Sequence, residues 1–462
     1  MTLLWTAAEL QEATGGKPVS TFDCSGVAFD SREIGNGDLF FALKGEESDG
    51  HHYLDQAFRN GAAGAIVSEP TSHSHILVPD TLGALNALGA AARDRVDAKI
   101  IGVTGSAGKT GTKEALYAAL DRSSRGHAHC SVKSYNNHVG VPLSLSRMPR
   151  TSKYGVFEMG MNHPGELREL TALVRPDVAI ITTIAPAHIG FLKDENEIAI
   201  AKAEIFEGLT EGGTAIIPLD NPHCPVLRAA ASKYASNIVT FGFDTNADVH
   251  VVDYVKSAFG GSLITAKLPS GSICYTLSQP GRHWIANSLA VLAAVEAVGA
   301  DLAAAGLALA ELGGLAGRGA RHLVQLADGE VNLIDESYNA NPGSMAVTIA
   351  ELGNTQAQRR IAVLGAMKEL GEQSDRYHSE LAAPLAAANV DYAILVGKEM
   401  QILAEKLNQG LEGPRKFDHC NNAKEASDLL VQYMRAGDTV LVKGSNSMGL
   451  SAIVNTMLRG EI

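Results

Sequence analysis

Residues 99–113, Lys-Ile-Ile-Gly-Val-Thr-Gly-Ser-Ala-Gly-Lys-Thr-Gly-Thr-Lys, constrain this chain more than any other stretch. An apolar run ending at Thr104 leads straight into Gly105, Gly108, Lys109 and Thr110, and a helical pattern follows to Leu120. A strand, a glycine-rich turn and a helix in that order form a phosphate-binding loop. The backbone N–H groups of Gly105, Ser106, Ala107, Gly108, Lys109, Thr110 and Gly111 can close around phosphate oxygens, and the helix N-terminus adds partial positive charge. Lys109 then reaches the terminal phosphates and the Thr110 hydroxyl can ligate Mg²⁺. The general G-x-x-x-x-G-K-[ST] pattern needs glycine at position 103, where this chain has Val103, so the loop is the tighter T-G-x-x-G-K-T.

A chain of 462 residues exceeds one ordinary core, so several domains are expected. With 19% charged and 45% hydrophobic residues the composition is that of a soluble globular protein. No apolar run approaches the ~18 residues of a membrane span, and the N-terminus lacks a basic region followed by an apolar one. Cys24, Cys130, Cys224, Cys274 and Cys420 are scattered and never spaced C-x-x-C, which predicts reduced thiols and a cytoplasmic location. A net charge of -13 argues against a nucleic-acid partner. A protein this acidic must make its phosphate site positive locally, with helix termini, a metal ion and a few placed cations, which favours a Mg-nucleotide over a bare polyanion.

Three blocks can be separated, and the fold class read from them is α/β. Residues 1–82 form a small α/β unit with strand-like runs at 26–30, 38–43 and 62–67 and a helix at 53–60. Residues 83–313 alternate strands (100–104, 154–159, 178–184, 214–218) with helices, implying a central parallel sheet. Within them, residues 246–280 shift to β-like runs with Gly-Gly and Ser-Gly turns, read as an antiparallel insertion. After the glycine-rich linker 313–319, residues 314–462 alternate again (331–334, 360–364, 392–396, 439–442) as a Rossmann-like doubly wound domain without a phosphate-binding loop. Ligands of such sheets bind beyond the carboxyl ends of the strands.

Two residues at such strand ends carry chemistry. Glu158 closes a strand assigned beside the phosphate-binding loop, and His188 follows the next one. With Thr110 they supply a hydroxyl, a carboxylate and an imidazole for a divalent cation, although histidine more often signals Zn than Mg and either residue alone reads as an ordinary loop residue. Lys202 lies on the apolar stripe Ile198, Ala201, Ile205, Phe206 and Leu209 of a helix spanning 195–209. Periodicity alone favours a lysine that snorkels to solvent. If buried, its pKa can fall by up to ~3–5 units, and the neutral amine this makes available can react with carbon dioxide to give a carbamate.

Taken together, Thr104-Gly-Ser-Ala-Gly-Lys-Thr110, Tyr135-Asn-Asn-His-Val-Gly-Val-Pro142, Glu158-Met-Gly-Met-Asn162, Ala187-His188, Gly281-Arg-His-Trp-Ile-Ala-Asn287, Gly317-Arg318 and Asp335-Glu-Ser-Tyr-Asn-Ala-Asn-Pro342 resemble the Mur ligase family over nearly the whole chain. Leu370-Gly371 and Val442-Lys-Gly-Ser445 extend the resemblance to the C-terminal block, and Tyr338-Asn-Ala-Asn-Pro342 is sharpest for the branch that adds D-alanyl-D-alanine. In the first block, Asp30-Ser-Arg32, residues 37–45 and Asp49-Gly-His51 resemble a uridine-nucleotide-binding domain.

The resemblance implies an ATP- and Mg²⁺-dependent amide ligase acting on UDP-N-acetylmuramoyl-tripeptide and D-alanyl-D-alanine through an acyl phosphate; a monomer is expected, although the sequence itself carries no sign of the oligomeric state. It assigns the catalytic roles to Lys109, Glu158, His188 and Lys202. Thr110 and Glu158 hold one Mg²⁺, and His188 and carbamoylated Lys202 serve a second. The adenine-contacting residue is Asn287 and the phosphate-reaching arginine is Arg318. Asp335 or Glu336 contacts the nucleotide, where the family often has two aspartates. Ser31, Arg32, Lys44, Asn136, Asn137, Tyr338, Asn339 and Asn341 contact the substrates. The rivals are MurE-type amino-acid ligases, against which the Tyr338 to Pro342 string weighs, folylpolyglutamate synthase, against which the first block weighs, and a phosphate-loop switch protein.

Overall fold

The computed structural model describes residues 2–45, 48–186, 192, 194–257, 261–410 and 413–460. Among them the chain builds three α/β domains, each around its own sheet. The N-terminal sheet has the order Lys17–Pro18, His75–Leu77, Gly64–Val67, Asp38–Phe41, Gly26–Ala28, parallel except at its first pair. Arg95 fastens this domain to the central one. Its guanidinium lies 3.4 Å from the Trp5 ring centre and donates to the carbonyls of Leu4 (2.9 Å) and Met148 (3.1 Å), while the Trp5 indole donates to the Ser146 carbonyl at 2.8 Å.

In the central sheet the strand Lys99–Thr104 lies between Val178–Ile181 and Tyr154–Glu158, all parallel. Five of its six residues are buried, as a strand covered on both faces requires. Alternate residues face opposite sides. Ile101 and Val103 pack with Leu116 of the helix Lys109–Ser124 and Leu289 of the helix Arg282–Ala297. Ile100 packs with Leu167 and Ile198 on the other face. Three expectations are corrected here. The runs at 249–277 do not form a separate insertion: Val249–Lys256 pairs parallel with Asn237–Gly242, and Ser262–Leu268 and Gly271–Leu277 then extend the same sheet antiparallel. The strand expected to reach 184 stops at Ile181, because Thr182 and Thr183 turn their polar groups to the phosphate-binding loop. The helix expected to reach 209 ends at Ala203 and continues as a tighter turn, Glu204–Gly208, where Thr171 donates to the Ile205 carbonyl at 2.8 Å.

The C-terminal sheet has the order Ala320–Leu326, Gly329–Glu336, Asp438–Lys443, Arg359–Gly365, Tyr392–Val396, Lys416–Cys420. The first pair is antiparallel and the rest parallel. The short strands Ala128–Cys130 and Lys416–Cys420 and the hairpin arm Ala320–Leu326 were not legible in the sequence, since each carries polar or half-exposed residues that dilute the apolar pattern.

Strand Ala128–Cys130 carries a pH-dependent element. The His129 ring packs against Phe157 at 5.9 Å and its Nε2 lies 2.7 Å from the Ser144 carbonyl. Burial pushes its pKa down to about 4; Arg147 adds to the shift and the Ser144 carbonyl opposes it. The folded value lies below the unfolded one, so this residue's contribution is present above the unfolded pKa near 6.5 and is lost as pH falls towards the folded value. Between about pH 7.5 and about pH 5 it removes about 2 kcal/mol of unfolding free energy. Urea denaturation of the wild type and His129→Gln at both pH values checks this, with the variant expected to show the shallower loss.

Candidate active site

The phosphate-binding loop owes its shape to contacts with the neighbouring strand end. Gly105 sits at φ +149°, and a Cβ there would stand 1.9 Å from the Thr182 hydroxyl oxygen. Thr182 donates to the Ala107 carbonyl at 2.5 Å, the Ser106 amide to the Thr183 carbonyl at 2.9 Å, and the Ala185 amide to the Ser106 hydroxyl at 3.0 Å. Gly108, at φ +81°, begins the helix Lys109–Ser124 and has room only for hydrogen, because the Asn287 carboxamide would lie 2.9 Å from a Cβ. Gly111 is likewise covered by Trp284. The segment bearing Trp284 and Asn287 is thus pressed onto the first turn of the phosphate-loop helix. We expect Gly105→Ala to weaken ADP binding about tenfold or more, since relieving the clash means moving the loop; calorimetric titration with ADP measures it.

Lys109 arches over its own loop and donates to the Gly105 carbonyl at 2.7 Å. Burial lowers its pKa, Glu158 opposes that shift and Arg318 adds to it. The next residue, Thr110, donates to one Glu158 oxygen at 2.7 Å, and the other Glu158 oxygen accepts from the Asn136 carboxamide at 2.7 Å. Glu158 is buried, and its backbone amide donates to the Ser131 hydroxyl at 3.0 Å. Ser134 lies 3.3 Å from the Thr110 hydroxyl and accepts from Arg318 at 3.0 Å. Arg318 reaches there from the C-terminal side, with its guanidinium 4.2 Å from the Tyr338 ring centre.

The acidic pair after the linker divides its work. One Asp335 oxygen accepts from the Gly317 amide at 2.6 Å and the other from the Ser337 amide and hydroxyl at 3.1 and 2.6 Å, so Asp335 holds the turn that aims Arg318. Glu336 faces the buried Lys443 at 3.2 Å, and Lys443 also donates to the Asn339 carbonyl at 2.9 Å. Asn341 caps the helix Pro342–Asn354 and donates to the Ser106 carbonyl at 3.3 Å, which brings the C-terminal domain onto the phosphate-binding loop.

Lys202 is 1% exposed rather than snorkelling. Burial pushes its pKa well below the usual lysine range, and the neighbouring Lys109 charge pushes the same way. His188 lies outside the described residues. Asn137 turns its carboxamide oxygen to the amides of Val139 (3.2 Å) and Gly140 (2.9 Å), starting the helix Gly140–Ser146. In the N-terminal domain the Ser31 hydroxyl donates to Gln56 at 3.2 Å, Arg32 is held by both oxygens of Asp30, and Lys44 lies 3.9 Å from Asp49. Sequence reasoning missed Ser134, Thr182 and Lys113. The last is a fully buried lysine that donates to the Ser131 and Lys133 carbonyls, both at 3.0 Å. Its spacing of four from Lys109 on one helix was the available signal.

Comparison with known proteins agrees with this geometry domain by domain. Residues 23–122 match the profile described as "Mur ligase family, catalytic domain", 103–295 the Mur ligase middle domain, and 321–446 "Mur ligase, glutamate ligase domain". The UDP-N-acetylmuramoyl-tripeptide--D-alanyl-D-alanine ligase of Escherichia coli (strain K12) is 34% identical, over 93% of this chain and 93% of that one. The chain belongs to the Mur ligase family, in its MurF type. The crystal structure of the Acinetobacter baumannii MurF superposes with a TM-score of 0.84 at 30% identity, covering 98% of this chain and 99% of that one. MurF of Thermotoga maritima, solved in complex with ADP, superposes at 0.75 with 26% identity, covering 94% and 97%. Within this Mur ligase, Lys109 and Thr110 fall where the first two matched segments overlap, Ser134 and Glu158 in the second, and Arg318 between the second and the third.

Proposed function

We propose that this MurF-type enzyme uses ATP to join D-alanyl-D-alanine to UDP-N-acetylmuramoyl-tripeptide, making the pentapeptide precursor of peptidoglycan. The observation that carries the reading is the convergence of Lys109 and Arg318 beside the Thr110–Glu158 pair, in a chain whose relatives over almost all of its length are such ligases. The domains divide as 1–82 for the UDP-muramoyl substrate, 83–313 for ATP and 314–462 for the dipeptide. Among the described residues no helix is long and apolar enough to cross a membrane.

In the first step an oxygen of the tripeptide's terminal carboxylate forms a bond to the γ-phosphorus, and the bond to the β-γ bridging oxygen breaks, releasing ADP and leaving an acyl phosphate. In the second, the dipeptide amine bonds to the acyl carbon, loses a proton and expels inorganic phosphate. Lys109 and Arg318 stabilise negative charge on the transferring group. The donors beside them are hard oxygens, a hydroxyl and a carboxylate 2.7 Å apart, which suit Mg²⁺. Thr110 and Glu158 would hold that ion, which when bound neutralises phosphate charge. Among the described residues no group of three or more His, Cys, Asp or Glu side chains could hold a metal by itself. Lys202 as its carbamate, with His188, would serve a second cation. The neighbouring Lys109 charge favours an anion at position 202 over an ammonium. Closure of the C-terminal domain through Asn341 and Arg318 excludes water from the acyl phosphate.

Phosphate release measured with ATP and UDP-N-acetylmuramoyl-tripeptide, with and without D-alanyl-D-alanine, tests the assignment. We expect sustained release and an amide product only when all three are present. Release indifferent to the dipeptide, with no new amide, would overturn it.

A further inference from the structure

The segment 131–137 is held from three directions, and the part of this arrangement that faces the N-terminal domain has no place in the chemistry above. From below, Lys113 fixes the Ser131 and Lys133 carbonyls. Towards the active site, Ser134 meets Thr110 and Arg318, and Asn136 meets Glu158. Towards the N-terminal domain, the Lys133 ammonium and the Tyr135 hydroxyl, the latter at 3.3 Å, both donate to one oxygen of Glu33. Lys133 stands at φ +52°, a left-handed conformation that costs a non-glycine residue energy and is kept only where the surroundings impose it. Glu33 belongs to the short helical turn Ser31–Glu33, beside the residues assigned above to the uridine nucleotide.

We propose that Glu33 is a positioning residue that couples binding of the UDP-muramoyl substrate to assembly of the ATP site, by holding Lys133 and Tyr135 and so setting where Ser134 and Asn136 stand. The inference rests on the assignment of the N-terminal domain to that substrate. A ligand that orders the Ser31–Glu33 turn also orders the Glu33 end of the pair. Lys133 and Ser134 are adjacent in the chain, so the same ordering reaches the Thr110, Glu158 and Arg318 groups directly. Linkage makes the effect reciprocal: nucleotide tightens substrate binding by the factor with which substrate tightens nucleotide binding. Lys133 and Glu33 are partly solvent-exposed, which limits the factor to about three- to fivefold, the size such an ion pair can carry.

The test is calorimetric titration of the full chain with the nonhydrolysable ATP analogue AMP-PNP and Mg²⁺, with and without saturating UDP-N-acetylmuramoyl-tripeptide, and with the tripeptide, alone and with the analogue present. In the wild type the tripeptide should tighten the analogue about three- to fivefold. In Glu33→Gln each ligand alone should bind within about twofold of wild type while the mutual tightening disappears. The charge-swapped double variant, Glu33→Lys with Lys133→Glu, should recover most of it. Undiminished coupling in Glu33→Gln, absent coupling in a wild type that binds both ligands, or no recovery in the double variant overturns the proposal. If the tripeptide binds the wild type neither alone nor with the analogue present, the substrate assignment itself fails and the proposal falls with it, an outcome visible in the tripeptide titrations.

Discussion

Replacing Lys109 with alanine should lower turnover by about 10²–10³-fold, the usual loss when one preorganised charge is taken from a developing anion. Its amine sits 2.7 Å from the Gly105 carbonyl, at the mouth of the phosphate-binding loop, and needs only a side-chain rotation to exchange that oxygen for one on phosphate. The loss should fall on kcat as well as on ATP affinity, because charge on the transferring oxygens grows towards the transition state. Burial lowers the Lys109 pKa, so the wild-type profile of kcat/KM for ATP should decline on its alkaline side at a pH below the ordinary lysine range. In Lys109→Arg, whose charge does not titrate, that limb should vanish even though activity is low. Phosphate-release kinetics across pH measure both effects, and a Lys109→Ala variant as active as wild type removes this residue from phosphoryl transfer.

The second large effect is expected at Lys202. Lys202→Ala should also lose about 10²–10³-fold in turnover, and added bicarbonate should restore none of it, because no amine is left to carry the carboxylate. Burial and the Lys109 charge push the Lys202 amine towards its neutral form, which is the form that attacks carbon dioxide. The wild type should therefore lose activity reversibly in buffer stripped of carbon dioxide, and ¹³C-labelled carbon dioxide should give a carbamate resonance absent from Lys202→Ala. If the wild type is indifferent to carbon dioxide while Lys202→Ala is inactive, the lysine acts through its amine alone.

The three-block organisation was legible because each block repeats a local pattern, an apolar run, a turn and an amphipathic helix, whose physics is contained within a dozen residues. The same logic puts Glu158 at a strand end beside the phosphate-binding loop, and in the structure its carboxylate accepts from Thr110 at 2.7 Å. Exposure of Lys202 was not legible: the apolar stripe allowed a snorkelling chain, and only the packing of helix Glu195–Ala203 beneath the sheet removes that route to water. Similar side chains took different work for reasons of distance alone. Asn136 reaches Glu158, while its neighbour Asn137 spends its oxygen on the next helix. Asp335 braces the turn before Arg318, while Glu336 answers Lys443.

By itself the sequence determined the phosphate-binding loop, the α/β class and the family, because glycine conformations, helix starts and strand periodicity are short-range properties of neighbouring residues. Tertiary structure alone decided which polar groups meet. Ser134 and Arg318 are 184 residues apart in the chain, and Ser106 and Asn341 235 apart. Such contacts depend on how three sheets dock, and part-buried donors such as Arg318 and Asn341 take the acceptors that docking brings within reach, since leaving a desolvated donor unpaired costs about 1–3 kcal/mol.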